Sequence, residues 1–182
     1  MTDLLGAVDR AAGTVHLERR IAAPAARVWD ALTDPARLSD WLAPVESGAP
    51  GPDATFVLRM SGAETATCTV TIWDPPHELR LTWYYTGEPA SELLLRLVPD
   101  GAQTLLRLDH TLLEVDVVQY GAGWHLHLDN LAVHLDGRDV GSEGCSGPAF
   151  LAAWEELAPR YAATDPATTD PATADPATAD AP

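Results

Sequence analysis

Residues 65–83 read TATCTVTIWDPPHELRLTW, and the alternation in this stretch sets the architecture. Ala66, Cys68, Val70 and Ile72 alternate with Thr65, Thr67, Thr69 and Thr71, so an extended chain here has one apolar and one polar face. Pro75 and Pro76 end the strand, because proline brings no backbone N–H to a ladder. Leu79, Leu81 and Trp83 then resume the alternation. Strands with a single apolar face predict an antiparallel sheet, covered on one side and solvated on the other.

The same period extends outward from this hairpin over residues 55–113. Phe56, Leu58 and Met60 share a face, as do Leu93, Leu95 and Leu97, and Pro99-Asp100-Gly101 makes the turn before a last strand. Five or six strands with short connections are expected. Upstream, residues 15–21 alternate, and Pro24 suits the first turn of a helix bearing Val28, Trp29, Ala31 and Leu32. Asp34-Pro35 breaks that helix, and Leu38, Trp41 and Leu42 recur at helical spacing in a second, short one. After Gly121 the period becomes 3.6: Trp124, Leu128, Leu131 and Leu135 fall within about 60 degrees on a helical wheel. Gly137 ends this long helix. A Gly/Ser-rich loop over residues 141–147 leads to a final helix through Phe150, Leu151, Trp154 and Leu157. Residues 164–182 repeat Asp-Pro-Ala-Thr and lack large apolar side chains, so a solvated tail is expected.

With 182 residues the chain has room for one core, and six tryptophans supply large flat apolar surface. Eleven basic against 27 acidic residues give a net charge of −16. No cluster of Lys and Arg exists to release phosphate counterions, which argues against nucleic acid and against anionic membrane surfaces as partners. No run of about 18 apolar residues occurs and the opening residues lack a leader pattern, so a cytoplasmic location is expected. Cys68 and Cys145 have no metal or redox spacing; Cys68 reads as a small buried hydrophobe.

Three stretches carry a family resemblance. The first is Ile21-Ala22-Ala23-Pro24 with Val28-Trp29-Asp30-Ala31-Leu32-Thr33-Asp34-Pro35 and Trp41; the second runs from Trp73-Asp74-Pro75-Pro76 to Trp83. The third is Gly123-Trp124 with Leu128-Asp129-Asn130-Leu131 and Leu135-Asp136-Gly137. On these the chain resembles the AHSA-type members of the SRPBCC/START-like superfamily. The resemblance implies an α+β helix-grip fold: a curved antiparallel sheet closed by a long C-terminal helix, with two short helices after the first strand. It departs at Leu42, where many relatives carry an aromatic residue, and at Gly51-Pro52-Asp53. The expected organisation is an N-terminal extension (1–14), the START-like domain (15–161) and a disordered repeat tail (162–182).

In such a fold the space between sheet and long helix is often a cavity, and the inward-pointing residues become the candidate site. Trp41, Met60, Trp83, Tyr85, His110, Trp124, His127, Leu128 and Leu131 are expected to line it, with Trp83 and Trp124 on opposite walls. The implied partner is a small hydrophobic or aromatic molecule. Two alternatives follow from the superfamily: a polyketide-cyclase-like enzyme using His110 as acid or base, and a chaperone-linked or stress-response interaction module. No cofactor is expected. No metal is either: His125 and His127 point about 200 degrees apart on a helix, and His127 and His134 are two turns apart. Nucleophile-elbow, phosphate-loop and dinucleotide motifs do not occur.

Overall fold

The computed structural model describes residues 6–141 and 146–169. A hairpin of β1 (Ala7–Asp9) and β2 (Thr14–Ile21) is followed by α1 (Ala25–Thr33), α2 (Pro35–Trp41) and the short β3 (Val45–Ser47). A meander follows: β4 (Thr55–Ser61), β5 (Glu64–Asp74), β6 (Glu78–Tyr85), β7 (Ser91–Asp100) and β8 (Gln103–Thr111). Then come α3 (Val117–Leu135), α4 (Pro148–Ala162) and one turn, α5 (Pro166–Thr169). The strands form a single antiparallel sheet in the order β1-β2-β8-β7-β6-β5-β4-β3. The two short helices therefore carry the chain from β2 across to the far edge, and the meander returns to pair β8 with β2.

Register turns the alternation into layers. Val15, His110, Leu93, Leu81 and Val70 form one row across five strands, and Leu17, Leu108, Leu95, Leu79 and Trp73 the next. These side chains face α3, which buries Val117, Val118, Trp124, Leu128, Leu131 and Leu135. The opposite face is solvated and laced with cross-strand ion pairs, among them Glu18–Arg107 and Glu78–Arg96. Register shifts interrupt the ladders of β3, β4 and β5, the kind of irregularity that bends a strand.

One of these shifts corrects the expected pattern of β5. Between Val70 and Ile72 the register slips, so Ile72 stands opposite Arg80 and Trp73 opposite Leu79. Trp73, not Ile72, packs against the core, in edge contact with Trp29 at 5.0 Å between ring centroids. A strict period of two cannot foresee an inserted residue.

Helix ends follow local chemistry. Asp34 caps both short helices: its backbone ends α1, and its carboxylate accepts from the N–H groups of Ala36 and Arg37 at the start of α2. Asp116 caps α3 by accepting from Val118, which starts the helix at Val117, four residues before the expected Gly121. Gly121 lies inside α3 because a Cβ there would sit 2.8 Å from the Tyr161 ring and 2.9 Å from Val8. Its bareness lets α4 and β1 close on the helix.

The packing extends past both expected boundaries of the domain. Residues assigned to an N-terminal extension supply β1, whose Val8 N–H donates to the Thr164 hydroxyl. Asp165, only 1% exposed, accepts from Arg10 at 2.9 Å. These contacts are polar, and criteria based on apolar periodicity do not register them. The rest of the expected tail, from 170 onward, and Cys145 lie outside the described residues. Cys68 is buried opposite Phe56 and Trp83, and burial pushes its thiol pKa up.

Candidate functional site

A cavity of about 290 Å³ opens between the sheet, α3 and α4. Its floor is Met60 of β4 with Trp83 and Tyr85 of β6. One wall is the outer half of α3, through Tyr120, Gly123, Trp124 and His127; the other is α4, through Phe150, Leu151 and Trp154. Leu42, Ser61, Gln119 and Ser146 complete the rim, and Glu88 is the single charged residue on the lining among the described residues. A broader cleft with polar edges, about 880 Å³, adjoins it across Leu42, Met60 and Ser61.

Of the nine expected lining residues, the structure brings five together: Met60, Trp83, Tyr85, Trp124 and His127. The other four stand behind the surface. Trp41 is buried and donates its indole N–H to the Ala31 carbonyl at 2.8 Å, binding the two short helices together. Leu128 and Leu131 are fully buried in the core further along α3. Trp83 and Trp124 do come from sheet and helix, but they are not opposed. Their rings touch edge to face at 5.3 Å between centroids and form one corner of the cavity, so nothing fits between them.

His110 is the residue whose setting says most. It is 0% exposed and lies beneath both tryptophans. The Trp124 indole N–H, which can only donate, reaches His110 Nδ1 at 2.9 Å. Nδ1 is therefore the acceptor, and Nε2–H donates to Ser91 Oγ at 2.8 Å. The Ser91 hydroxyl in turn donates to the Trp83 carbonyl at 3.1 Å. Every donor in this chain has an acceptor, the imidazole is neutral, and burial lowers its pKa to about 3. His110 pins Trp124 and braces the backbone at Trp83; both its nitrogens are occupied and neither reaches the cavity.

His127 lies on the cavity itself. Burial lowers its pKa to about 4, partly offset by a hydrogen bond to the backbone carbonyl of Trp41. Its ring packs on Phe150 of α4 at 5.0 Å. At the mouth the Tyr120 and Tyr85 hydroxyls donate to Glu88 and Glu64. Burial, followed by these carboxylates, pushes both phenol pKa values up, so the hydroxyls stay protonated. The Trp83 indole N–H is turned toward the Tyr120 hydroxyl without attaining hydrogen-bond geometry. Trp154 donates to the Gln119 carbonyl at 3.2 Å, which ties α4 to α3 beside the opening.

Sequence reasoning placed Leu42 only near the cavity mouth and missed Glu88 and Tyr120, the smaller rim residues Ser61, Gln119, Gly123 and Ser146, and the whole contribution of α4. A signal existed for the last of these: Phe150, Leu151 and Trp154 form an apolar stripe, and Leu151 is one of the exposed large hydrophobics. Among the described residues no group of His, Cys, Asp and Glu is arranged to hold a metal ion.

Comparison with known proteins places this geometry. No curated protein sequence matches. CalU16 from Micromonospora echinospora is 30% identical; its solution structure superimposes with a TM-score of 0.71 over 84% of this chain and 86% of that one. The protein encoded by BPP1335 of Bordetella parapertussis is also 30% identical, with a TM-score of 0.63 over 83% and 85% of the two chains. DynU16, from the dynemicin biosynthetic locus, shares the fold at 23% identity and a TM-score of 0.64, over 70% of this chain and 49% of its own. The sequence profile described as Activator of Hsp90 ATPase homolog 1-like protein matches residues 22–136. That match spans more than half of the chain, from the turn before α1 to the end of α3, and with the helix-grip fold it shows that this chain belongs to the Activator of Hsp90 ATPase homolog 1-like family.

Proposed function

We propose that the protein binds a small, largely aromatic molecule in the cavity between β6, α3 and α4. The observation that carries this reading is unfilled apolar space of about 290 Å³, walled by aromatic rings that are themselves held by hydrogen bonds. Closed cores pack with few voids larger than a water molecule, so a cavity near the lower end of the range for small-molecule sites needs an occupant. Rigid aromatic walls offer contact area at little cost in side-chain entropy.

Two measurements test it. Native mass spectrometry of the purified chain should show a retained small molecule or, after its removal, uptake of aromatic compounds. Titration of neutral aromatic compounds should shift the tryptophan emission, since Trp83, Trp124 and Trp154 all line the space. An emission spectrum indifferent to every compound, with none retained in the mass spectrum, overturns the proposal.

The cyclase-like alternative loses the residue it rested on, because His110 is enclosed. The acid–base groups that do line the cavity are Tyr85, Glu88, Tyr120 and His127, and an enzyme in this cavity would have to work through them. The chaperone-linked alternative rests on the family description alone.

A further inference from the structure

Helix α4 rests on α3 at three points: Phe150 against the His127 ring, the Trp154 indole on the Gln119 carbonyl, and Tyr161 on His125. Phe150 and Trp154 are half-buried, whereas Tyr161 is 0% exposed, with its ring in the gap left by Gly121. The Tyr161 hydroxyl is therefore the inner anchor of the helix. The Gly6 N–H approaches its oxygen at 3.2 Å, and the Arg19 guanidinium lies against it. Both of these groups can only donate. The hydroxyl proton thus has one acceptor among the groups that meet it, Nδ1 of His125 at 2.9 Å.

This arrangement fixes the state of the imidazole. Nδ1 keeps its lone pair, the ring is neutral, and Nε2–H faces Asp129 Oδ2 at 3.3 Å. A proton added at Nδ1 puts two hydrogens on the line between ring and hydroxyl. The hydroxyl has no other acceptor to turn to, and its oxygen would face three donors with two lone pairs. Asp129, on the far nitrogen, supplies the counter-charge that retains the added proton, so the conflict falls on the bond to Tyr161. The remaining charges on neighbouring elements are engaged elsewhere. Arg19 of β2 is shared with Asp129 at 3.3 Å, and Arg10, just after β1, meets Asp165 and Asp116. Arg27 of α1 and Asp40 of α2 reach α3 at its other end, at Leu135 and His134, and Arg160 lies on the exposed side of α4.

We infer that His125 and Tyr161 form a proton-sensitive latch: protonation of His125 undocks the C-terminal end of α4, and with it the start of β1 at Gly6, while the rest of the sheet stays folded. The undocked state binds one proton more than the docked state, so docking is favoured as pH rises and lost as it falls. Release draws the α4 wall away from the cavity. The loss of a bound molecule in acid, unlike the latch itself, rests on the reading of the cavity as a ligand site.

The test uses the full chain with no ligand, which keeps it separate from that reading. Nitrogen NMR of the rings should show His125 as the Nε2–H tautomer at neutral pH. As acid is added and the His125 ring resonances report its protonation, amide hydrogen exchange in α4 should rise about tenfold or more relative to β6 and β7, after correction for the intrinsic pH dependence of exchange. Tyr161→Phe keeps the ring in the Gly121 gap and removes the hydroxyl proton, and His125→Gln keeps an acceptor that does not titrate. In each variant the acid step in α4 exchange should disappear. An Nδ1–H tautomer, α4 amides that keep their protection while His125 protonates, or a step that survives in a folded variant overturns the latch. So does a His125 that stays neutral until the sheet itself unfolds. The tautomer and the wild-type exchange profile decide the matter even where a variant fails to fold.

Discussion

At the residue scale, the buried histidines govern how the protein responds to acid. His110 and His127 are neutral in the fold, with pKa values lowered by burial to about 3 and about 4, against 6.5 for an exposed imidazole. Between those values and 6.5 the unfolded chain binds protons that the folded chain does not, so unfolding is favoured as pH falls. Their contribution is complete above pH 6.5 and declines below it, by up to about 1.4 kcal/mol per pH unit for each histidine. Urea unfolding at pH 7 and pH 5 should show this loss, and His110→Gln should flatten the slope. Asp129, whose carboxylate is held below its ordinary pKa by His125 and Arg19 against the cost of burial, adds a further loss only at lower pH. A second expectation concerns the pin itself. His110→Ala leaves the Trp124 N–H without an acceptor and the Ser91 oxygen without the N–H it accepts, which should cost about 2–4 kcal/mol from the cavity and the unpaired groups together. Chemical denaturation measures that cost, and broadened Trp124 resonances would report the freed indole.

At the scale of elements, α4 is what turns a sheet-and-helix sandwich into a bounded cavity. It reaches α3 closely because Gly121 has no side chain, and Tyr161 lies against that gap with its hydroxyl bonded to His125 Nδ1 at 2.9 Å. Gly121→Val should push α4 away and destabilise the protein by about 1–3 kcal/mol, the usual cost of overpacking. Gly123→Ala, on the same helix with open space around its Cβ position, is the control and should change stability little. Truncating the α4 wall tests its other role. Trp154→Ala removes both a lining surface and the bond to Gln119, so aromatic probes should bind at least about tenfold more weakly, as expected when a tryptophan that contacts the ligand is truncated. Equal affinity in wild type and variant would show that α4 is not part of the site.

For the whole molecule, residues 6–10 and 161–165, near the two ends of the described structure, are fastened together. β1 contacts the segment after α4 through Val8–Thr164 and Arg10–Asp165, and Tyr161 accepts from the Gly6 N–H at 3.2 Å. Deleting residues 164–182 should therefore lower the melting temperature. Arg10 is partly exposed, which holds the worth of its pair with Asp165 to about 1–2 kcal/mol, or several degrees for a domain of this size. Deleting 170–182 alone should leave the melting temperature within about 2 °C, because a repeat of proline and small residues brings no apolar surface to bury. Differential scanning calorimetry of the two truncations separates the docked part from the remainder.

Periodicity in the chain determined the strands of the meander, the position of the long helix and the apolar face that each presents. These depend on neighbours two to four residues apart, and a linear pattern records them. That Trp83 and Trp124 meet was legible for the same reason, since a sheet face and a helix stripe have to pack together. The tertiary structure alone decided that they form one corner of the cavity and that His110 lies beneath them, because a strand pattern states which face a residue is on and not how deep it sits. It also decided that Trp73 replaces Ile72 in the core, through one inserted residue in β5. The wall formed by α4 joins residues tens of positions apart, and the contact of Asp165 with Arg10 joins residues 155 apart, by shape and hydrogen bonds that no local pattern encodes.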